Sequence, residues 1–189
     1  MPRSSDPEIS VNGYPISYRD VKYPRLEYKT GNLVVVLPKE YNATAELLEK
    51  HGKWITAKRG EIEQAISMAK KLKLKKNRDK DNFKRIVNSN IEKDERLIGV
   101  HINKLFYRRM NSKWGSLSSR GNLTLNPILQ YLPEKVIEYV IFHEVTHLID
   151  RKHDRRFWNT VGAVFPDYRL IEIELFAYWF LIKKNDIKH

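Results

Sequence analysis

Between residues 143 and 153 the chain reads His-Glu-Val-Thr-His-Leu-Ile-Asp-Arg-Lys-His, gathering three of its six histidines and one glutamate. His143 and His147 are four residues apart, so on an α-helix they lie about 40° apart on one face, one turn above the other. Two imidazoles so placed can share one metal ion. Zn²⁺ takes neutral imidazole nitrogens at about 2.0–2.1 Å, and a catalytic site has three protein ligands with a fourth position left for water. His153 is the natural third ligand. Asp150, Asp154, Asp167, Glu172 and Glu174 compete for that place, since carboxylates also bind zinc, but Asp154 reads better as the N-cap of a helix over 155–164. Glu144 neighbours the ligands without needing to bind. In a hydrolytic site of this kind it takes a proton from activated water and returns it to the leaving group. Zinc lowers the pKa of that water from about 15.7 towards 7, and other divalent ions also accept histidine donors.

The two histidines have to sit on a helix, and the preceding residues supply one. Val136, Ile137, Val140, Ile141 and Leu148 recur at helical spacing on either side of them. Pro133 at the first helical position, with Glu134 and Glu138 near the start, marks where the helix begins. Upstream, Trp114–Leu117, the turn Ser118-Ser119-Arg120-Gly121-Asn122 and Leu123–Asn126 read as a β-hairpin that stops at Pro127. An antiparallel sheet beside the motif helix can offer its edge to an extended peptide. Downstream, Phe157, Trp158, Val161, Val164 and Phe165 give an amphipathic helix. A last helix over 169–184 packs Phe176, Tyr178, Trp179 and Phe180 as core.

A chain of 189 residues with 41% hydrophobic residues can build a core, as one domain or as a domain with a small accessory lobe. It has no cysteine, which excludes disulfides, cysteine-ligated zinc and thiol nucleophiles and fits a reducing compartment. No signal peptide or spanning helix is legible. The most apolar run, Leu170–Ile182, carries Glu172 and Glu174 and falls short of the roughly 18–20 residues a span needs. The expectation is a cytoplasmic protein away from membranes. Net charge is +12, from 35 Lys and Arg against 23 Asp and Glu. The densest run, Lys70 to Arg78, reads as a solvated helix end, with a nucleic-acid patch as the alternative.

Along the chain, residues 1–75 read as short strands (Ile9–Val11, Ile16–Tyr18, Leu26–Tyr28, Leu33–Leu37) followed by a long helix. Asn12-Gly13 and Gly31-Asn32 are the turns, Asn42 is the cap, and Gly52 and Gly60 are weak points of that helix. His51 and Trp54 there read as packing or surface residues. Residues 76–96 are polar and charged, a linker or loop, and 97–189 form the core domain. Leu97–Ile102 and Leu105–Tyr107 read as further strands.

Arg109-Met110-Asn111-Ser112-Lys113-Trp114-Gly115-Ser116, Gly121–Asn126, and His143-Glu144-Val145-Thr146-His147 with His153 and Phe157-Trp158 together resemble the YgjP-like metallopeptidase domain, in order and spacing. That family groups with the WLM and SprT-like proteases. The likeness is strong over 97–168 and fainter over 25–70. It implies an α+β, zincin-like fold, with a small antiparallel sheet packed on helices. It also implies zinc at His143, His147 and His153, and Glu144 as general base. Leu117 stands where the family usually has cysteine, so no thiol is needed. Asp150 stands where metzincins have glycine. Trp114 reads as packing, Gly115 as allowing a close approach, and Ser116 as a polar group near the site. Arg109 reads equally as a substrate contact or a surface charge. Tyr107, Tyr131, Tyr168 and Tyr178 are candidates to polarise a substrate carbonyl. The leading expectation is a zinc-dependent peptidase acting on proteins or peptides. The alternative is a nucleic-acid-associated protein, including a protease acting on DNA-bound proteins, with a structural or vestigial metal site.

Overall fold

The computed structural model describes residues 10–11, 14–29, 32–39 and 44–185. Ile9, the Asn12-Gly13 turn, Gly31 and the cap Asn42 lie outside them. The chain divides into two compact units, Met1–Gln64 and Ala65–His189.

The first unit holds β1 (Ser10–Val11), β2 (Tyr14–Tyr18), β3 (Arg25–Lys29), β4 (Asn32–Leu37) and α1 (Thr44–Lys50), followed by the start of α2 (Gly52–Ala69). The sheet order is β1-β2-β4-β3, with β4 parallel to β2 and antiparallel to β3. A strand paired on both sides wants an unbroken apolar run, and Val35, Val36 and Leu37 are fully buried. Val35 and Leu37 pack with Leu48 and Ile55. The expected long helix breaks once, at His51, and runs through Gly60 without interruption.

The second unit is built around α4 (Glu134–Thr146), which carries the histidine motif. Val136, Ile137, Tyr139, Val140, Ile141, Phe142 and Val145 are all buried, so α4 is apolar on nearly every side, as a helix in the middle of a core must be. Each such side chain contributes about 1.5–3 kcal/mol on burial. Around it lie α3 (Lys80–Ile98), α5 (Arg155–Val164), α6 (Tyr168–Lys184) and a sheet of β5 (Lys104–Tyr107), β7 (Asn122–Leu125) and β6 (Gly115–Leu117), in that order. The fold class is α+β, with small sheets on helices, as expected. The β6–β7 hairpin is antiparallel, but β5 runs parallel to β7, so the sheet is mixed.

Residues 80–98, expected as mostly linker, form α3 instead. Its buried stripe is sparse, only Phe83, Val87, Ile91 and Asp94, and the charges around it hid the period. Both ends are capped: Asp79 accepts from the Asn82 N–H, and Gly99 takes the left-handed conformation at φ 74°. Residues 97–102 are therefore the last turn of α3, its glycine cap and a coil, where alternation suggested a strand. The basic run is also divided. Lys71, Lys73, Lys75 and Lys76 are exposed, whereas Leu72 and Leu74 pack on the core. The Arg78 side chain is only 8% exposed and donates to the carbonyls of Gln130 and Leu132 at 2.8 and 2.6 Å, bracing the approach to α4. Among the described residues, no helix is long and apolar enough to cross a membrane.

Asp94 is enclosed by the α3 interface, and its Oδ2 has no hydrogen-bond partner. Burial pushes its carboxyl up to about 7, against the pull of Lys93. Between about pH 4 and 7 the unfolded chain has released this proton while the folded chain retains it, so stability falls as pH rises through that window and levels off above it. Asp94→Asn is expected to stabilise the protein by about 3–4 kcal/mol above pH 7 but only about 1 kcal/mol near pH 4.5, read by urea denaturation across pH.

Candidate metal centre and active site

His143 lies in the last turn of α4 and His147 at its C-cap. Beyond it the backbone tightens into 3₁₀ spacing, with His147, Leu148 and Ile149 N–H bonding back to the carbonyls of Glu144, Val145 and Thr146. That tightening turns the chain at Asp150 without a glycine. It also brings the Asp150 carbonyl 2.9 Å from His147 Nδ1. A ring N–H given to a carbonyl fixes the tautomer and leaves Nε2 with the lone pair a metal needs.

Asp154 caps α5, accepting from the N–H groups of Arg156 and Phe157 at 2.9 and 3.3 Å, and so places His153 just ahead of that helix. Phe157 stacks on the His147 ring, with centroids 4.7 Å apart and an angle of 26°. Trp158 stacks on His153 at 5.6 Å and 26°, and its Nε1 donates to the His153 carbonyl at 3.1 Å. Phe157 and Trp158, read in the sequence as part of an amphipathic helix, thus hold two of the candidate ligands.

Donor nitrogens of His143, His147 and His153 lie within 4.8 Å of one another. Nε2 of His143 and of His153 are 2.9 Å apart. Burial first, then the neighbouring imidazoles, takes His143 down to about 3, and His153 is lowered by burial and by His147. Three imidazoles converging on one point are a donor set that suits a divalent cation, so these residues fit a metal ion. Among the described residues no fourth His, Asp or Glu joins the group. Four of the five rival carboxylates are engaged elsewhere. Asp150 Oδ1 accepts from the Lys152 N–H, Asp154 is the cap, Asp167 takes Lys135 at 2.5 Å, and Glu174 takes the Tyr178 hydroxyl. Glu172 Oε1 accepts from the Tyr139 hydroxyl at 2.5 Å and lies 3.8 Å from His143 Nδ1.

The histidines open onto a cleft of about 450 Å³ whose other wall is β6 with its flanking residues, Lys113 to Ser119. Glu144 lines it. Burial pushes the Glu144 carboxyl up to about 7, while the Lys113 charge and the Leu117 N–H, which donates to it, pull the other way. The close approach expected at Gly115 is to Glu144 itself: a Cβ on Gly115 would stand 2.7 Å from Glu144 Cγ and 3.1 Å from Cδ. Asn126, fully buried, secures the stretch leading into β6. Its side-chain amide donates to the carbonyls of Met110 and Lys113 at 2.8 and 2.9 Å, and its backbone N–H bonds the Trp114 carbonyl at 2.8 Å.

Trp114 packs edge-on against Trp179 at 4.8 Å, and Ser116 lines the cleft. Arg109 lines a separate small hollow with Met110, Ile128 and Trp179. None of the expected tyrosines reaches the cleft. Tyr107 packs on Phe83, Tyr131 sits in the buried 3₁₀ turn, Tyr168 stacks on Trp158, and Tyr178 faces Glu174. The tyrosine that does line it is Tyr139, one turn before His143. That i, i+4 spacing was visible in the sequence, but nothing there singled Tyr139 out.

The family model described as "YgjP-like, metallopeptidase domain" matches residues 67–177. Among solved structures, the chain is similar to the metallopeptidase zymogen abylysin of Pyrococcus abyssi. The identity is 29%, covering 47% of this chain and 88% of that one, with a TM-score of 0.42. It is likewise similar to the zymogen jannalysin of Methanocaldococcus jannaschii, at 29% identity over 49% and 89% of the two chains, with a TM-score of 0.40. No curated protein matches the sequence.

Gly115→Ala is expected to displace Glu144 and cut hydrolytic turnover about 100-fold, while metal content by elemental analysis stays at the wild-type level.

Proposed function

The chain belongs to the YgjP-like metallopeptidase family, and from that premise we propose that it cleaves peptide bonds with a zinc ion held by His143, His147 and His153, Glu144 being the proton carrier. It is a peptidase, and its substrates are proteins or peptides. The convergence of three imidazoles with no fourth protein ligand among the described residues carries the reading, because a structural zinc site is closed and a catalytic one is open. Zinc suits a histidine-only donor set in a chain without cysteine.

A divalent ion bound there supplies Lewis acidity, which makes water a nucleophile near neutral pH. The protein's own groups supply position and proton transfer. β6 has β7 on one side and the cleft on the other, so an extended peptide added along it would bring a scissile carbonyl to the histidines, using main-chain hydrogen bonds that ignore sequence. Glu144 is steadied by the Leu117 N–H and by the surface of Gly115. From there it takes the proton of the attacking water and delivers it to the leaving nitrogen.

Glu144→Gln, assayed on unfolded protein substrates with zinc supplied, is expected to lose about 10²–10⁴-fold in activity and to keep its metal. Full activity in that variant would overturn the mechanism. His143→Ala and His147→Ala are expected to lose bound zinc by elemental analysis.

Association with nucleic acid is the second reading, favoured by the exposed Lys71, Lys73, Lys75 and Lys76 on a segment whose leucines turn inward. Duplex DNA affinity is then expected to fall with salt at a log–log slope of about −3 to −4, losing about one unit per lysine replaced by alanine. A flat salt response would leave this segment as a solvated surface.

A further inference from the structure

His143 Nδ1 is buried and without a hydrogen-bond partner. Its Nε2 faces the other imidazoles, 2.9 Å from His153 Nε2. For Nε2 to present its lone pair there, the neutral ring must carry its proton on Nδ1. A buried N–H left unpaired costs about 1–3 kcal/mol, so this atom needs an acceptor. For His147 the same need is met by the Asp150 carbonyl at 2.9 Å.

Opposite His143 Nδ1 stands Glu172, on α6, with Oε1 3.8 Å away. That gap exceeds a hydrogen bond by less than about 1 Å. The carboxylate is itself braced, since Oε1 accepts from the Tyr139 hydroxyl at 2.5 Å. Tyr139 is 1% exposed and precedes His143 by one turn on α4, with ring centroids 5.9 Å apart. A buried hydroxyl thus fixes a carboxylate against the unsatisfied edge of a candidate ligand. The contact between the two Nε2 atoms also has room to relax. Two nitrogens on one tetrahedral ion at about 2.0–2.1 Å would be about 3.3 Å apart, so ligation itself repositions these rings.

We propose that Glu172, braced by Tyr139, is a positioning residue that accepts the Nδ1–H of His143 and so fixes the tautomer and orientation of that ligand. The inference rests on the histidine-ligand reading above. It assigns Glu172, a rival third ligand by residue type, to the partner of a ligand instead.

The test is zinc affinity of the full chain by chelator competition, with thermal unfolding of the metal-free proteins as the control for folding. Glu172→Ala is expected to weaken zinc binding 10–100-fold at unchanged stoichiometry. Tyr139→Phe should weaken it by less, and Glu172→Gln, whose amide oxygen can still accept, should recover part of the loss. Nitrogen-15 NMR of the zinc-loaded protein should show a slowly exchanging Nδ1–H on His143 that Glu172→Ala removes. Unchanged affinity in Glu172→Ala, in a protein as stable as the wild type, would overturn the proposal. So would complete loss of zinc matching His143→Ala, which would make Glu172 a ligand. If His143→Ala itself binds zinc at wild-type affinity, the ligand reading fails first and this proposal goes with it.

Discussion

Two imidazoles on a helix buried on nearly every side have to stay neutral and point their Nε2 atoms at one place, and much of the second unit is arranged around that demand. For His143, burial disfavours the charged ring, because an imidazolium loses its hydration there. Orientation does not follow from burial, because an imidazole ring can flip and each nitrogen can carry the proton. The surroundings remove those freedoms. The 3₁₀ turn after α4 swings the Asp150 carbonyl onto His147, and the α5 cap at Asp154 sets His153 in place. Phe157 and Trp158 then press flat against two of the three rings.

The opposite wall of the cleft obeys a steric constraint. Glu144 leaves the same helix as the histidines but points toward β6, and the strand comes so near that only a hydrogen fits where a Cβ would be at residue 115. Close approach lets the Leu117 N–H reach the carboxylate, which offsets part of the cost of burying it. Holding β6 that near requires its lead-in to be rigid. Asn126 does this from the interior, its side-chain amide donating to the backbone carbonyls of Met110 and Lys113.

Several elements could be read from local signals alone. Asp154 before a stripe of Phe157, Val161 and Val164 marked α5 to the residue, because cap and period act within a few positions. The β6–β7 hairpin was legible from its turn residues, with Gly121 at φ 73° as such a turn requires. α3 was not legible. Its buried positions are few, and its charged faces resemble a linker until Gly99 and Asp79 are seen as caps. Arg78 was misplaced for a similar reason, since a residue type that usually faces water here meets two carbonyls from a distant turn. The pairing of β5 with β7 also depends on chain crossing, which alternation does not encode.

The sequence by itself determined the family, the α+β class, the motif helix and the placing of His143 and His147 on one face of it, since a spacing of four on a helix is a local property of covalent geometry. Only the tertiary structure decided which carboxylates stay away from the histidine group, that no fourth ligand joins it among the described residues, and which neighbours hold each ring. It also put Tyr139, and none of the four tyrosines singled out by sequence, along the cleft, and gave Gly115 and Glu172 their places. Those outcomes depend on elements far apart in the chain meeting at van der Waals and hydrogen-bond distance. Burial and directionality select such contacts only once the core around α4 has closed.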